Sequence, residues 1–249
     1  MQWPNGIFAT PTTVEGRAAW YSFAFWLRVA AASLLDVDAL ELQAGFRSLE
    51  QNGAIIGQAF LCDQLENGAG YCRFLAQPDE FQQLIDRADP TISNSIAWKW
   101  TNPHEEHGSK CDTSCNLCLR DYQNLAYHGL LDWRLALDMA RLVSNPASAI
   151  DLNSSWDHFQ NPWLNLVQGP IPATLQRLGY GASVPFGTLT GYVHQNARRR
   201  TIKMIRHPLW NDDHPEWIAA VASAHTQYSG YEVEAANPFM VLRRPGDCA

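Results

Sequence analysis

The sequence predicts an α+β protein: a zinc-knuckle-containing α/β domain over residues 1–145, a linker over 146–162, and a second, smaller α/β C-terminal subdomain over 163–249. Three observations carry that expectation. A long Ala-rich apolar segment precedes two apolar stretches that flank an Asn-Gly pair. Three cysteines at C-x3-C-x2-C spacing sit just before a run with a helical apolar stripe. Beyond a Ser/Asn/Asp/Pro-rich stretch, short strand-like segments alternate with helical ones.

Taken in order, "TTVE" at 12–15 reads as a Thr12-x-x-Glu15 capping box, opening a long, mostly buried helix over "GRAAWYSFAFWLRVAAASLL". "LELQAGFRS" and "AIIGQAFLCDQ" form the two strands of a hairpin, and the Gly-rich turn after Asp63 leads into a helix ending near Ile85. The cysteine segment is a loop, and "LRDYQNLAYHGLLDWRLALDMARLV" is one helix. "SNPASAIDLNSSWDHFQNP" is the linker. After it come a short helix over 163–178, strands around "PFGTLTGYV" and "RTIKMIRH", the helix "HPEWIAAVASAHTQ", and strands at "GYEVEAA" and "PFMVLRR".

Composition narrows the function classes. The chain has 249 residues, 46% hydrophobic and 17% charged, with ten tryptophans and a net charge of −7. That acidic balance argues against a free-standing, non-specific nucleic-acid binder, though not against a local basic stripe. No uninterrupted apolar run reaches the ~20 residues of a membrane span, Arg28 breaking the nearest one, and no signal-peptide pattern opens the chain. Three of six cysteines within eight residues read as metal chemistry in a reducing compartment, so the expected location is cytoplasmic and the expected partners exclude a membrane.

Cys111, Cys115 and Cys118 offer three soft donors of the kind that select Zn2+, and a structural zinc site takes four. His107, four residues before Cys111, is the expected fourth ligand; His104, Cys72 and Cys62 are the alternatives. "PHEEHG" does not match the H-E-x-x-H pattern, because its two histidines stand three positions apart rather than four. With four donors engaged, no open position remains, so the zinc is expected to be structural.

On a helix leaving the knot, Asn124, His128 and Asp132 fall at i, i+4 and i+8 and share one face, where they brace the metal loop. "ARRRTIKMIR", 197–206, concentrates Arg198, Arg199, Arg200, Lys203 and Arg206 with no acid among them, and these are the expected nucleic-acid contacts. A hairpin tip or partner-protein contact is the alternative for that stretch. Asp63 and Glu66 flank the Gly-rich turn; a nuclease-like metal pair there is a further alternative.

"FLCDQLENGAGYCRFL" followed by "CDTSCNLCLRDYQNLAYHGLLDWRLALDMA" resembles the C-terminal cysteine-rich, zinc-binding domain of MrfA-like superfamily-2 DNA helicases. Related domains occur in bacterial anti-phage proteins of the DISARM and Druantia type. The matched positions are Asp63, Leu65, Glu66, Asn67, Gly68 and Gly70, then Cys118, Leu119, Tyr122, Asn124, His128, Leu131 and Asp132, within residues 10–145. Two departures stand out. Many relatives carry another cysteine where this chain has Ser109, so a histidine has to complete the site. The chain also has neither the G-x-x-x-x-G-K-[ST] phosphate loop nor a DExH box, so it is not expected to hydrolyse ATP by that route. The resemblance implies an accessory zinc module of a DNA helicase system, in repair or anti-phage defence, working with a helicase/ATPase subunit and reaching DNA through the complex. The alternatives are a protein–protein interaction module that does not touch DNA, and a metal-dependent nuclease or hydrolase using Asp63 and Glu66.

Overall fold

The computed structural model describes residues 3–65, 68–89, 91–153, 161–196 and 198–248. It is a mixed α+β protein, as the sequence predicts, and its contacts divide it into two compact units. One is built on Ala9–Ala149. The other gathers Gln2–Phe8, Ile150–Ser154 and Asn161–Ala249.

The first unit is organised around helix α1, Val14–Leu35, which is buried on nearly every side. A helix apolar all round needs neighbours all round, and α1 packs against a β-hairpin and a later helix. By length and composition α1 could cross a membrane, but 72% of its most apolar window is buried inside the protein. Its cap is Thr13, whose Oγ1 accepts the Gly16 N–H at 3.1 Å, one residue later than the Thr12 box expected. Trp20 Nε1 donates to the Ala9 carbonyl at 3.1 Å and ties the incoming chain to the helix.

The hairpin is β1, Leu42–Gln51, antiparallel to β2, Ala54–Asp63, in unbroken register from Leu42↔Asp63 to Gln51↔Ala54. Its two-residue turn places Asn52 at φ 51° and Gly53 at φ 76°, the doubly positive pair that matches strand twist.

The helix expected through Ile85 is two: α2, Tyr71–Leu75, and α3, Pro78–Asp86. Pro78 cannot donate to a continuing helix and holds Gln77 extended (φ −70°, ψ 138°). Next come α4, Ile96–Thr101, capped by Ser95 Oγ, and α5, Glu106–Lys110. The long helix expected after the cysteines is also interrupted. Tyr122–Tyr127 is a 3-10 turn, and helix α6, Trp133–Ser144, starts anew at Asp132. Asp132 is extended (φ −142°, ψ 117°) and its carboxylate accepts the Arg134 N–H, so capping chemistry overrides the helical periodicity.

Within the second unit, α7 (Leu164–Gln168) and α8 (Pro170–Arg177) replace the single helix expected over 163–178, with Gly169 and Pro170 at the break. A four-stranded sheet has the order β3 (Tyr180–Phe186), β4 (Leu189–His194), β5 (Thr201–Ile205), β6 (Glu232–Ala236). The first three strands run antiparallel; β6 lies parallel to β5 after a crossover through α9, Pro215–Gln227. "PFMVLRR" was expected as a strand but forms helix α10, Pro238–Arg243, because Asn237 Oδ1 caps the Phe239 N–H and Pro238 occupies the first helical position. Of the expected linker, Ile150, Leu152 and Asn161 are buried in this unit, and Trp210 Nε1 donates to the Ile150 carbonyl at 2.7 Å. Positions 154–160 lie outside the described residues.

His214, the residue before α9, is buried, stacks on Trp210 at 3.5 Å, and has no hydrogen-bond partner at Nδ1. Burial lowers its pKa below the ordinary histidine value; among the groups facing it, His207 and Arg206 lower it further and Glu216 and Asp151 oppose. The unfolded chain therefore binds this proton more readily. Stability contributed by neutral His214 is intact above about pH 6.5 and falls as the pH drops from there toward the depressed folded value. A His214→Phe chain is expected to show a flatter stability profile between about pH 5 and 7 in urea titrations. An unchanged slope would mean that this imidazole is not the group responsible.

Candidate metal centre

The knot is assembled from two short pieces of the first unit. Helix α5 supplies His107 and ends at Cys111, whose N–H bonds the His107 carbonyl at 2.9 Å. One helical turn therefore sets both donors on the same side. Gly108 is required here: a Cβ would lie 2.1 Å from the Asn102 carbonyl oxygen, so only glycine lets α5 press against the end of α4. Cys115 and Cys118 form a tight Cys-x2-Cys turn. The Cys118 and Arg120 N–H groups both bond the Cys115 carbonyl at 3.1 Å, and the Cys115 N–H points at Cys118 Sγ, also at 3.1 Å.

One ligand atom from each of His107, Cys111, Cys115 and Cys118 lies within 4.8 Å of every other. Cys118 Sγ is 3.9 Å from Cys111 Sγ and 3.8 Å from Cys115 Sγ. A tetrahedron with Zn–S bonds of about 2.3 Å has S···S edges of about 3.8 Å, so the sulfurs stand at metal-site spacing. They are far beyond a disulfide bond, and all six cysteines are free.

The imidazole is the telling member. His107 is buried between Trp100 (ring centroids 5.3 Å apart, stacked) and Trp133 (5.2 Å, edge-on). Its Nδ1 lies 3.1 Å from the Trp100 carbonyl, which makes Nδ1 the protonated nitrogen, while Nε2 is buried without a hydrogen-bond partner. A carbonyl that fixes the tautomer and leaves the other nitrogen's lone pair free is how a metal-bound histidine is held. As thiols the cysteines resist ionisation: the Cys118 contact and then burial raise Cys111, and burial raises Cys115. A cation among them removes that obstacle. The four residues form a candidate metal-binding site compatible with zinc.

The other expected ligands are elsewhere. His104 is exposed, Cys62 lies near the end of β2 and Cys72 on α2; none joins the cluster. Burial, then the neighbouring Asp63, push the Cys72 thiol up to about 12.

Around the knot, backbone carbonyls do much of the holding. Trp133 Nε1 donates to the Cys111 carbonyl at 3.3 Å, the Trp133 N–H to the Thr113 carbonyl at 2.9 Å, and Arg134 Nη1 to the Asp112 carbonyl at 2.5 Å. Arg134 also meets Asp132, whose own N–H donates to Ser22 Oγ on α1. Asn124 Nδ2 donates to the Leu119 carbonyl, and its Oδ1 meets the Asp121 N–H and His128 Nε2. Burial, and then Arg120, lower the His128 pKa. Asn124, His128 and Asp132 thus lie in the chain leaving the knot, but not on one helix face, because the helix breaks between them. Asp121 pairs with Arg28, the buried cation of α1. The charge inside an apolar helix was the signal for this contact; Trp100's role, exercised through a carbonyl, left none.

Asp63 is occupied by its own turn. Its Oδ2 accepts the Gly70 N–H at 2.8 Å and Oδ1 the Cys72 N–H at 2.9 Å, bonds that lower its pKa, with Cys72 the largest cause. This is a turn-closing carboxylate. Glu66 lies outside the described residues.

In the second unit the basic stretch divides. Arg198, Arg199 and Arg200 are exposed in the β4–β5 connection. Lys203, expected among the phosphate contacts, is instead buried on β5 and paired to Glu234 at 2.5 Å; its side chain is 7% exposed. Arg206 stacks over Trp217 and pairs with Asp212 at 2.5 Å. Strand burial and neighbouring acids 6 and 31 residues away, which the local stretch did not contain, account for the difference.

No family model matches the chain, and no solved structure matches it. Among curated proteins it is similar to the Druantia protein DruE of Escherichia coli (strain UMEA 4076-1), with 30% identity over 128 residues. The similarity covers 49% of this chain and 6% of that much longer protein, so it spans about half of this chain and a small part of the relative.

Proposed function

We propose that this chain is a zinc-binding accessory module of a Druantia-type anti-phage defence system. It works beside a helicase/ATPase subunit, contributes to DNA engagement through that complex, and has no motor activity of its own. The observation that carries the reading is the buried, partnerless Nε2 of His107 facing three sulfurs at tetrahedral spacing. With three cysteines and one histidine as ligands, the zinc has no open position, so its part is to hold the loop between α5 and the 3-10 turn in one shape. The likeness to a Druantia protein supports the defence setting. The exposed Arg198, Arg199 and Arg200 are the phosphate contacts of this reading.

The test is metal content of the purified chain by plasma mass spectrometry, with fluorescence anisotropy on a single-stranded oligonucleotide across a salt series. One zinc per chain and weak, salt-sensitive binding are expected. Replacing all three arginines by alanine should reduce the log–log salt slope by about 2, at about 0.7 per phosphate contact. A metal-free chain would end the zinc reading, and an unchanged slope would remove the arginines from the DNA contact.

One observation favours a second reading, a protein–protein module that never touches DNA. Beside the knot, Leu117, Tyr122 and Leu125 are exposed, Tyr122 by 85%. Tyr122 and Leu125 fall three residues apart in a 3-10 turn and so share a face. No DNA binding even at low salt, with loss of a partner subunit on Tyr122→Asp, is the outcome that reading requires.

A further inference from the structure

We propose that the knot is also an oxidation site: hydrogen peroxide converts Cys115 and Cys118 into a disulfide, and the chain then releases its zinc. The inference rests on the zinc reading above and adds an order of events among the three sulfurs.

The sulfurs are not equivalent. Cys118 is 6% exposed, and its Sγ accepts the Cys115 N–H at 3.1 Å, which draws electron density from that sulfur. Cys111 and Cys115 line a surface cavity together with Lys110, Asn116, Leu117 and Arg120, and Cys115 is the most open of the three. Small oxidants therefore meet Cys115 first.

The second step needs a neighbouring sulfur free to move. Cys111 and Cys115 are almost equally far from Cys118, at 3.9 and 3.8 Å, so distance alone does not choose. The backbone chooses. Trp133 Nε1 holds the Cys111 carbonyl and Arg134 Nη1 the Asp112 carbonyl, which pins that side to α6. Cys115 and Cys118 share one short turn, closed by the Cys118 N–H on the Cys115 carbonyl, so the chain itself holds the two sulfurs near each other. Reaching a bond of about 2.05 Å asks their sulfurs to approach by less than about 2 Å, within reach of side-chain rotation.

The chemistry balances. The Cys115 thiolate attacks one peroxide oxygen, the O–O bond breaks, and hydroxide departs, leaving a sulfenic acid. The Cys118 thiolate then attacks the Cys115 sulfur, the S–S bond forms, and a second hydroxide leaves; two protons turn both hydroxides into water. Two sulfurs are each oxidised by one electron, and the peroxide takes both. His107 and Cys111 remain, two donors where four held the ion.

The experiment titrates the zinc-loaded full chain with hydrogen peroxide. A chromophoric chelator follows released zinc, and differential alkylation with peptide mass spectrometry maps the disulfide. Zinc release and the Cys115–Cys118 linkage are expected to rise in parallel, and dithiothreitol with added zinc should reverse both. A Cys62→Ser chain, which lacks the exposed thiol outside the knot, should behave identically. Zinc release with a Cys111–Cys118 linkage, with a lone sulfinic acid, or with all three thiols intact would overturn this proposal and leave the zinc reading standing. Absence of zinc from the untreated chain would overturn both.

Discussion

A His107→Phe chain is expected to leave purification without zinc and with its knot unfolded. Phenylalanine keeps an aromatic ring between Trp100 and Trp133 and removes only the nitrogens, so the loss reports on ligation rather than packing. Structural zinc contributes on the order of 10 kcal/mol in zinc-finger peptides, comparable to the whole stability of an ordinary domain. The knot segment has few apolar side chains to fall back on: Cys118 and Leu119 are buried, while Asn116 and Leu117 are exposed. Metal content by plasma mass spectrometry and near-ultraviolet circular dichroism of the tryptophans are the measurements. Cys115→Ser should fail in the same way, whereas His107→Cys, which offers a fourth thiolate, should recover part of the metal. Zinc retained by His107→Phe would mean that His107 is not a ligand.

The second large effect is expected at Arg28. Its guanidinium is buried within α1, pairs with Asp121 and lies 5.3 Å from the Phe25 ring; burial lowers its pKa. Removing the buried cation leaves Asp121, about a quarter exposed and still accepting two backbone N–H groups, so the cost falls at the low end of that for breaking a buried pair, about 3 kcal/mol. Arg28→Met is therefore expected to lower the thermal midpoint by about 6–12 °C, at about 2–4 °C per kcal/mol for a chain of this size. Asp121→Asn keeps an oxygen to accept the Gln123 and Asn124 N–H groups, so the cap of the 3-10 turn survives while the ion pair does not. The double variant should cost less than the sum of the two single ones. Simple additivity would mean that solvent, not Asp121, compensates Arg28. Because Asp121 opens the turn that follows Cys118, Arg28→Met should also speed zinc loss to a chelator.

Much of the local structure was legible because its causes are local. Asn52-Gly53 specifies a two-residue turn wherever it stands, and an Ala-rich segment apolar on every side has to be enclosed. The three cysteines with His107 one helical turn away were legible for the same reason: ligand spacing along a chain is a short-range property. Helix continuity was harder to read. The periodicity running through "LRDYQNLAYHGLLDWRLALDMA" is real, yet Asp121 and Asp132 each cap a new start, and Pro78 and Asn237-Pro238 act likewise elsewhere. Those residues were visible, but whether a cap or a period wins depends on what the segment packs against.

Donor types, their spacing and the missing ATP motifs all follow from residue order. Tertiary structure decided which of four candidate donors completes the site. It did so by bringing the Trp100 carbonyl to His107 Nδ1 and leaving Nε2 turned inward without a partner. It also decided which cations are available. Lys203 and Arg206 meet Glu234 and Asp212, while Arg198, Arg199 and Arg200 stay in solvent. The physical reason is common to both. A ligand set or a charge is written in one stretch of chain, but its hydrogen-bond and ion-pair partners come from stretches that only folding brings near.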